Sequence, residues 1–258
     1  MHAVTRAAVV ALLFAFTAQA CAQAQPARKP YEPEVGQAGK DVVWVPTPQA
    51  VVEKMLDMAH VTPADFLMDL GSGDGRTVIT AAKRGVRALG IEYNPDMVAL
   101  SKANAEKAGV TSRAQFQQAD LFATDFSKAT VITMFLLPGI NLKLRPKILD
   151  LKPGTRVVSN TFTMGDWKAD ETVTVDQGCD GSWCTALLWI VPAKVAGTYH
   201  TAQGDVTLKQ EFQTLSGTLR ANGRTVPLEG KVHGEDINFT AGGKTYRGKM
   251  NGKTLQLS

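Results

Sequence analysis

The stretch Asp69-Leu70-Gly71-Ser72-Gly73-Asp74-Gly75-Arg76 constrains the fold more than any other part of the chain. It stands between the apolar run Phe66-Leu67-Met68 and the helix-like run Thr77-Val78-Ile79-Thr80-Ala81-Ala82, and it reads as strand, glycine turn and helix. Glycines at alternate positions let a backbone turn sharply and let a ligand approach where a Cβ would clash. The spacing is G-x-G-x-G, not the G-x-G-x-x-G of a dinucleotide fingerprint.

The rest of the chain repeats the same unit. Thr47 is placed to cap a helix and Pro48 to stand in its first turn, with Val51, Val52, Met55, Leu56 and Ala59 at helical spacing. Ala88 to Glu92 reads as a second strand, followed by a helix that Asn94 caps, Pro95 starts and Gly109 ends. Ala114 to Gln118 and Thr130 to Leu136 are the next strands, then a helix bearing Leu142, Leu144, Ile148 and Leu149, and a fifth strand from Thr155 to Phe162. Such alternation implies an α/β fold with a mostly parallel sheet. Glu171 to Val175 and Cys184 to Val191 look like a closing antiparallel hairpin.

After Pro192-Ala193-Lys194 helical periodicity stops, and short alternating segments recur between Gly, Asn and Asp turns. Candidate strands are 205–212, 216–219, 225–232, 236–239, 245–249 and 254–257, expected to form a small C-terminal antiparallel β barrel or sandwich. The expected organisation is therefore a signal peptide over 1–24, a Pro- and Gly-rich linker over 25–41, an α/β domain over 42–192 and a β domain over 195–258. His200 and His233 are lone histidines with surface or structural readings, and no metal site is expected.

The N-terminal segment carries a secretory pattern: Arg6, the apolar run Ala7 to Phe16, then small residues. The run is too short to span a bilayer comfortably. Export to the periplasm is expected, with lipid anchoring through Cys21 as the alternative, although Ala18-Gln19-Ala20 makes a poor lipobox. Cys179 and Cys184 then remain as an even pair, which suits a disulfide across the turn Asp180-Gly181-Ser182-Trp183; two free thiols are the alternative. A net charge of +4 with scattered Lys and Arg gives no nucleic-acid footprint, and the densest basic segment, Lys143 to Arg156, reads as a solvated face.

In an open parallel sheet, ligands bind outside the carboxyl ends of the strands. At those ends the chain places Asp69 with Gly71, Ser72, Gly73 and Gly75, then Glu92 with Tyr93, Asp120 with Leu121, and Phe135. Taken singly, each has an ordinary reading as a turn glycine, a surface acid, a helix cap or core. Taken together with the glycine spacing, they point to S-adenosylmethionine instead of NAD. The glycine loop would hold the amino-acid portion of that cofactor, Glu92 its ribose hydroxyls, Asp120 and Leu121 its adenine, and Phe135 to Pro138 the floor beneath the sulfonium. Arg76 is either a partner of the cofactor carboxylate or a solvent-facing side chain.

These residues resemble a family. From Asp41 to about Val191 the chain is similar to class I, seven-stranded, Rossmann-like S-adenosylmethionine-dependent methyltransferases, on Asp69 to Arg76, Gly90-Ile91-Glu92-Tyr93-Asn94-Pro95 and Ala119-Asp120-Leu121. It resembles more narrowly the lysine methyltransferases related to the ATP synthase c-subunit enzyme, on Val45-Pro46-Thr47-Pro48, Phe135-Leu136-Leu137-Pro138, and Val157 to Phe162 followed by Trp167. The resemblance implies in-line methyl transfer to a protein lysine, with Trp44, Pro46, Thr47, Pro138 and Phe162 bordering the acceptor channel. No general base stands out, and no Asn-Pro-Pro-Tyr motif suggests a nucleobase acceptor. The signal pattern and the β domain lie outside the family pattern. Two other readings stay open: an exported protein that binds a nucleoside or metabolite without turnover, and a methyltransferase acting on a small molecule.

Overall fold

In the computed structural model, residues 31–251 and 254–258 are described. The signal pattern, Cys21 and residues 25–30 of the linker lie outside the described residues.

The first part of the chain alternates helix and strand: α1 (Gln49–Met58), β1 (Phe66–Leu70), α2 (Arg76–Lys83), β2 (Arg87–Glu92), α3 (Pro95–Lys107), β3 (Ala114–Gln118), β4 (Val131–Met134), α4 (Pro138–Leu149), β5 (Arg156–Asn160), β6 (Glu171–Thr174) and β7 (Thr185–Ile190). Its sheet has the order β3-β2-β1-β4-β5-β7-β6. The first five strands are mutually parallel, and β7 runs antiparallel to both β5 and β6. The chain builds outward from β1 through β2 to β3, then returns to lay β4 on the other side of β1. That reversal opens a crevice at the carboxyl ends of β1 and β4.

Successive strand residues face opposite sides of the sheet. Leu67, Val131 and Val158 join Val51, Val52 and Leu56 of α1 and Val78 of α2 in one buried cluster. Met68, Leu70, Ile132 and Met134 join Ile140, Leu144 and Ile148 of α4, with Trp167 and Trp189, in the other. Asp69 therefore falls on a buried face of a central strand.

Helix ends match the sequence reading in one case and depart from it in another. Asn94 caps α3, accepting from the amides of Asp96 and Met97, with Pro95 as the first helical residue. Thr47 does not cap α1: the helix starts at Gln49 with Pro48 in the capping position and no side-chain cap. The Thr47 carbonyl instead accepts from Arg76 Nη1 at 2.9 Å, which fixes the segment by a tertiary bond. Likewise β5 ends at Asn160, before the expected Phe162, because Thr161 takes a left-handed φ of +59°.

The C-terminal part is an antiparallel meander: β8 (Gly197–Thr201), β9 (Gly204–Glu211), β10 (Thr214–Ala221), β11 (Arg224–His233), β12 (Asp236–Ala241), β13 (Lys244–Asn251) and β14 (Thr254–Leu257). β14 returns beside β8, so the sheet nearly closes into a barrel around Val206, Leu208, Leu219, Leu228 and Phe239. β8 was not among the expected strands; within it only Tyr199 packs against the core, so its alternation is faint. The barrel rests on the connection between β5 and β6 through Phe212, which stacks on Trp167 with ring centroids 6.1 Å apart, and through Gln213, which donates to the Lys168 carbonyl.

Candidate functional site

The three glycines of the β1–α2 loop all take left-handed conformations, with φ of +78° at Gly71, +53° at Gly73 and +83° at Gly75. Their surroundings differ. A Cβ at Gly73 would lie 2.7 Å from Trp44 Nε1, at the wall of the crevice, whereas one at Gly75 would meet the Phe116 ring at 2.7 Å and Ser101 at 3.0 Å. Gly75, expected in the cofactor site, does not line the crevice; its role is to let α2 start against β3 and α3.

The amides of Gly71, Ser72, Gly73 and Gly75 are committed within the protein. Those of Gly71 and Ser72 both donate to the Ile91 carbonyl, at 2.9 and 3.0 Å, and that of Gly75 donates to the Ser72 carbonyl. Arg76 neither faces a free anion nor extends into solvent: it pairs with Asp74 and with the Thr47 carbonyl. The Ser72 hydroxyl is different, being buried with no partner, and Ser72 lines the crevice. Gly90 makes room for it, since a Cβ there would lie 2.5 Å from Ser72 Oγ.

Three acids mark the ends of β1, β2 and β3. Asp69 is 5% exposed and accepts from the Thr133 hydroxyl at 2.7 Å. Burial pushes its carboxyl up to about 7; the Thr133 bond opposes that shift, and the charges of Glu92 and Asp74 add to it. Glu92 accepts from the Gly73 amide at 3.0 Å through one oxygen and from the Asn94 amide at 2.9 Å through the other. Asp120 accepts from the Phe122 amide at 2.8 Å and pairs with Lys40. Lys40 and then that amide hold its carboxyl below the usual range.

Lys40 belongs to a tight turn over residues 37–44, closed by a bridge between Ala38 and Val43 and by the Trp44 amide donating to the Gln37 carbonyl at 2.9 Å. Its ammonium also sits 4.6 Å from the centre of the Tyr93 ring. The turn thereby closes one side of the crevice. Sequence reasoning placed residues 37–41 in a linker, because a contact spanning eighty positions leaves no local periodic signal.

On the β4 and β5 side the wall is aromatic. Phe135 stacks on Phe162 with centroids 5.8 Å apart, and Trp183 meets Phe135 edge-on at 6.1 Å. Asp69, Gly71, Ser72, Gly73, Glu92, Tyr93, Asp120, Leu121 and Phe135 thus line one cleft, together with Trp44, Pro46, Thr47 and Phe162. Pro138 does not line it; it opens α4, and its neighbours Leu137 and Ile140 line the cleft in its place. Trp183 was not anticipated there, although its position between two cysteines was a signal that it is held. Cys179 and Cys184 form the expected disulfide. Among the described residues no cluster of His, Cys, Asp or Glu is arranged for a metal ion, and no helix is long and apolar enough to cross a membrane.

The orphaned Ser72 hydroxyl and the acids converging on one cleft fit a polar, nucleoside-bearing ligand. Known proteins agree. The ANTKMT methyltransferase domain matches residues 69–171. A protein-lysine N-methyltransferase from Saccharolobus islandicus (strain REY15A) is 47% identical over 140 residues, which is 53% of this chain and 87% of the relative. The lysine N-methyltransferase of Mus musculus that is named for the ATP synthase c-subunit is 36% identical over 141 residues, 54% of this chain and 56% of that protein, so the match spans little more than half of the mouse enzyme. A solved structure described as an RNA methyltransferase from Salinibacter ruber, in complex with S-adenosyl-L-homocysteine, shares 47% identity with a TM-score of 0.55 over 58% of this chain and 96% of that one.

Proposed function

The chain belongs to the S-adenosylmethionine-dependent methyltransferases that carry the ANTKMT methyltransferase domain, and from that premise we propose that it methylates a lysine side chain of a protein substrate. The observation that carries the reading is the division of one cleft at the β1/β4 reversal into an acidic side, with Asp69, Glu92 and Asp120, and an aromatic side, with Phe135 and Phe162. The lysine N-methyltransferases among the relatives support a lysine acceptor.

When bound, S-adenosylmethionine supplies an electrophilic methyl group. Asp69 would receive the ammonium of its amino-acid portion beside the Ser72 hydroxyl. Each Glu92 oxygen already accepts one amide, and a carboxylate has about four acceptor positions, so two remain for ribose hydroxyls. Asp120 would accept from the adenine amine while Leu121 would pack the ring. Phe135 and Phe162 exclude water from the acceptor nitrogen, and an apolar surrounding favours the neutral, nucleophilic amine over the ammonium. Positioning of that amine by the cleft would supply much of the rate, with no covalent enzyme intermediate needed.

Calorimetry with S-adenosylmethionine and S-adenosylhomocysteine, followed by radiolabelled methyl transfer into a periplasmic protein extract, tests the reading. Binding of both and label on lysine are expected, with labelling abolished in Asp69→Ala. No binding of either compound, or label confined to RNA or small molecules, would overturn it. We propose further that the protein is exported to the periplasm; the secretory pattern and a disulfide suited to an oxidising compartment support this. A reporter fused after residue 41 reads the location directly, and retention in the cytosol would sink the proposal.

A further inference from the structure

One wall of the cleft has a chemistry that holding the cofactor does not require. Phe135, Phe162 and Trp183 come from the ends of β4 and β5 and from the turn before β7, across the β1/β4 reversal from Glu92 and Asp120. Phe135 and Phe162 stack with their planes 18° apart, the Trp183 ring meets Phe135 at an inclination of 62°, and all three side chains line the cleft. Trp183 is 41% exposed. A side chain of that size gains by burial, and its exposure here is not an isolated case. Of the six exposed large hydrophobic side chains among the described residues, four line this cleft: Val43, Tyr93, Leu137 and Trp183. Apolar exposure is thus gathered where a ligand covers it.

Trp183 is also anchored. It precedes Cys184, whose disulfide to Cys179 is buried in the cluster that holds Val51 and Val52 of α1. The turn is tied to the core at both cysteines, and its ring is left at the rim of the cleft.

We propose that Trp183 is a specificity-determining residue for the acceptor: with Phe135 and Phe162 it forms an aromatic site for an alkylated lysine nitrogen, and the Cys179–Cys184 disulfide holds it there. This rests on the methyltransferase reading above. Ring faces attract a cation, most strongly when the cation is desolvated. An alkylated ammonium is weakly hydrated, so it enters such a site more readily than a primary ammonium. In the transfer the nitrogen lone pair forms the new N–C bond as the cofactor's S–C bond breaks, with sulfur keeping that electron pair. The ammonium that enters gives one proton to water before its lone pair attacks, and a methylated product ammonium is left against the rings, quaternary where the acceptor was a tertiary amine. The site accordingly favours an acceptor that already carries methyl groups.

The test uses the full chain. S-adenosylhomocysteine binding is measured first; then Nα-acetyl-Nε-trimethyl-lysine amide and its neutral tert-butyl isostere are titrated into that complex. The trimethylammonium probe is expected to bind at least about tenfold more tightly than the isostere. Trp183→Ala removes most of that preference, Trp183→Phe keeps part of it, and Cys179→Ser with Cys184→Ser weakens it. In every variant S-adenosylhomocysteine affinity stays within about twofold and circular dichroism is unchanged. Wild-type protein that binds both probes equally, or Trp183→Ala that keeps the full preference, would overturn the proposal. If S-adenosylhomocysteine fails to bind wild type, the methyltransferase reading falls, and the same titration of the free protein decides the aromatic site by the same criterion.

Discussion

The Thr133 hydroxyl on β4 donates to Oδ1 of Asp69 on β1 across 2.7 Å, and both side chains are buried. The bond supports the charged form of a carboxyl that burial otherwise drives up to about 7. The sign of its pH effects follows. An acid whose pKa is raised on folding keeps its proton where the unfolded chain has lost it, so stability falls as pH rises from about 4 to about 7 and then levels. The loss is on the order of 4 kcal/mol. Asp69→Asn should abolish that slope in urea titrations across this range. Binding of the cationic cofactor should strengthen roughly tenfold between pH 6 and pH 8 by calorimetry, with the midpoint moved upward in Thr133→Val.

Asp65, just before β1, behaves oppositely. Burial raises its pKa, but Arg156, the Thr130 hydroxyl and the Thr62 amide more than offset this, and the carboxyl lies below its usual range. Its contribution is present above the ordinary carboxylate pKa and is lost as pH falls through the lower folded value. Asp65→Asn should cost about 1–3 kcal/mol at neutral pH, because Arg156 loses its charged partner. The difference from wild type should shrink as unfolding is measured at successively lower pH.

Gly75 and Gly109 separate strain from crowding. Both have positive φ, +83° and +69°, but an added Cβ meets Phe116 at the first and nothing within 4 Å at the second. Gly109→Ala should cost about 1–2 kcal/mol from backbone strain alone. Gly75→Ala should cost about 2–5 kcal/mol once overpacking is added. Chemical denaturation of the two variants measures the difference directly.

The disulfide closes a short loop, so its contribution is modest. Cys179→Ser with Cys184→Ser should lower the unfolding free energy by about 2 kcal/mol. Intact mass before and after reduction should show the gain of two hydrogens in the wild-type protein, and an unchanged mass would leave Trp183 without its anchor.

Much of the architecture was readable because it rests on local signals. The Asn94-Pro95 start of α3, the glycine at its end and the alternation of apolar strands with amphipathic helices each declare themselves within a few residues. Where the same local rules met a tertiary contact, the contact won: Thr47 had the chemistry of a cap, but its segment is fixed by Arg76, twenty-nine positions away. β8 escaped notice because only one of its residues packs against the barrel core. Gly73 and Gly75 are indistinguishable in the sequence, yet one borders the cleft and the other packs behind it.

The sequence by itself determined the parallel α/β plan, the β domain that follows it and the acids standing at the ends of three strands, since these depend on backbone preference and on the spacing of apolar residues. Only the tertiary structure decided what those acids experience and what faces them. Asp69 is buried against Thr133, Asp120 is paired with Lys40 across eighty positions, and Phe162 and Trp183 both meet Phe135 at one wall of the cleft. Desolvation, charge pairing and ring contact are set by distances between segments remote in the chain, and no local pattern encodes such distances.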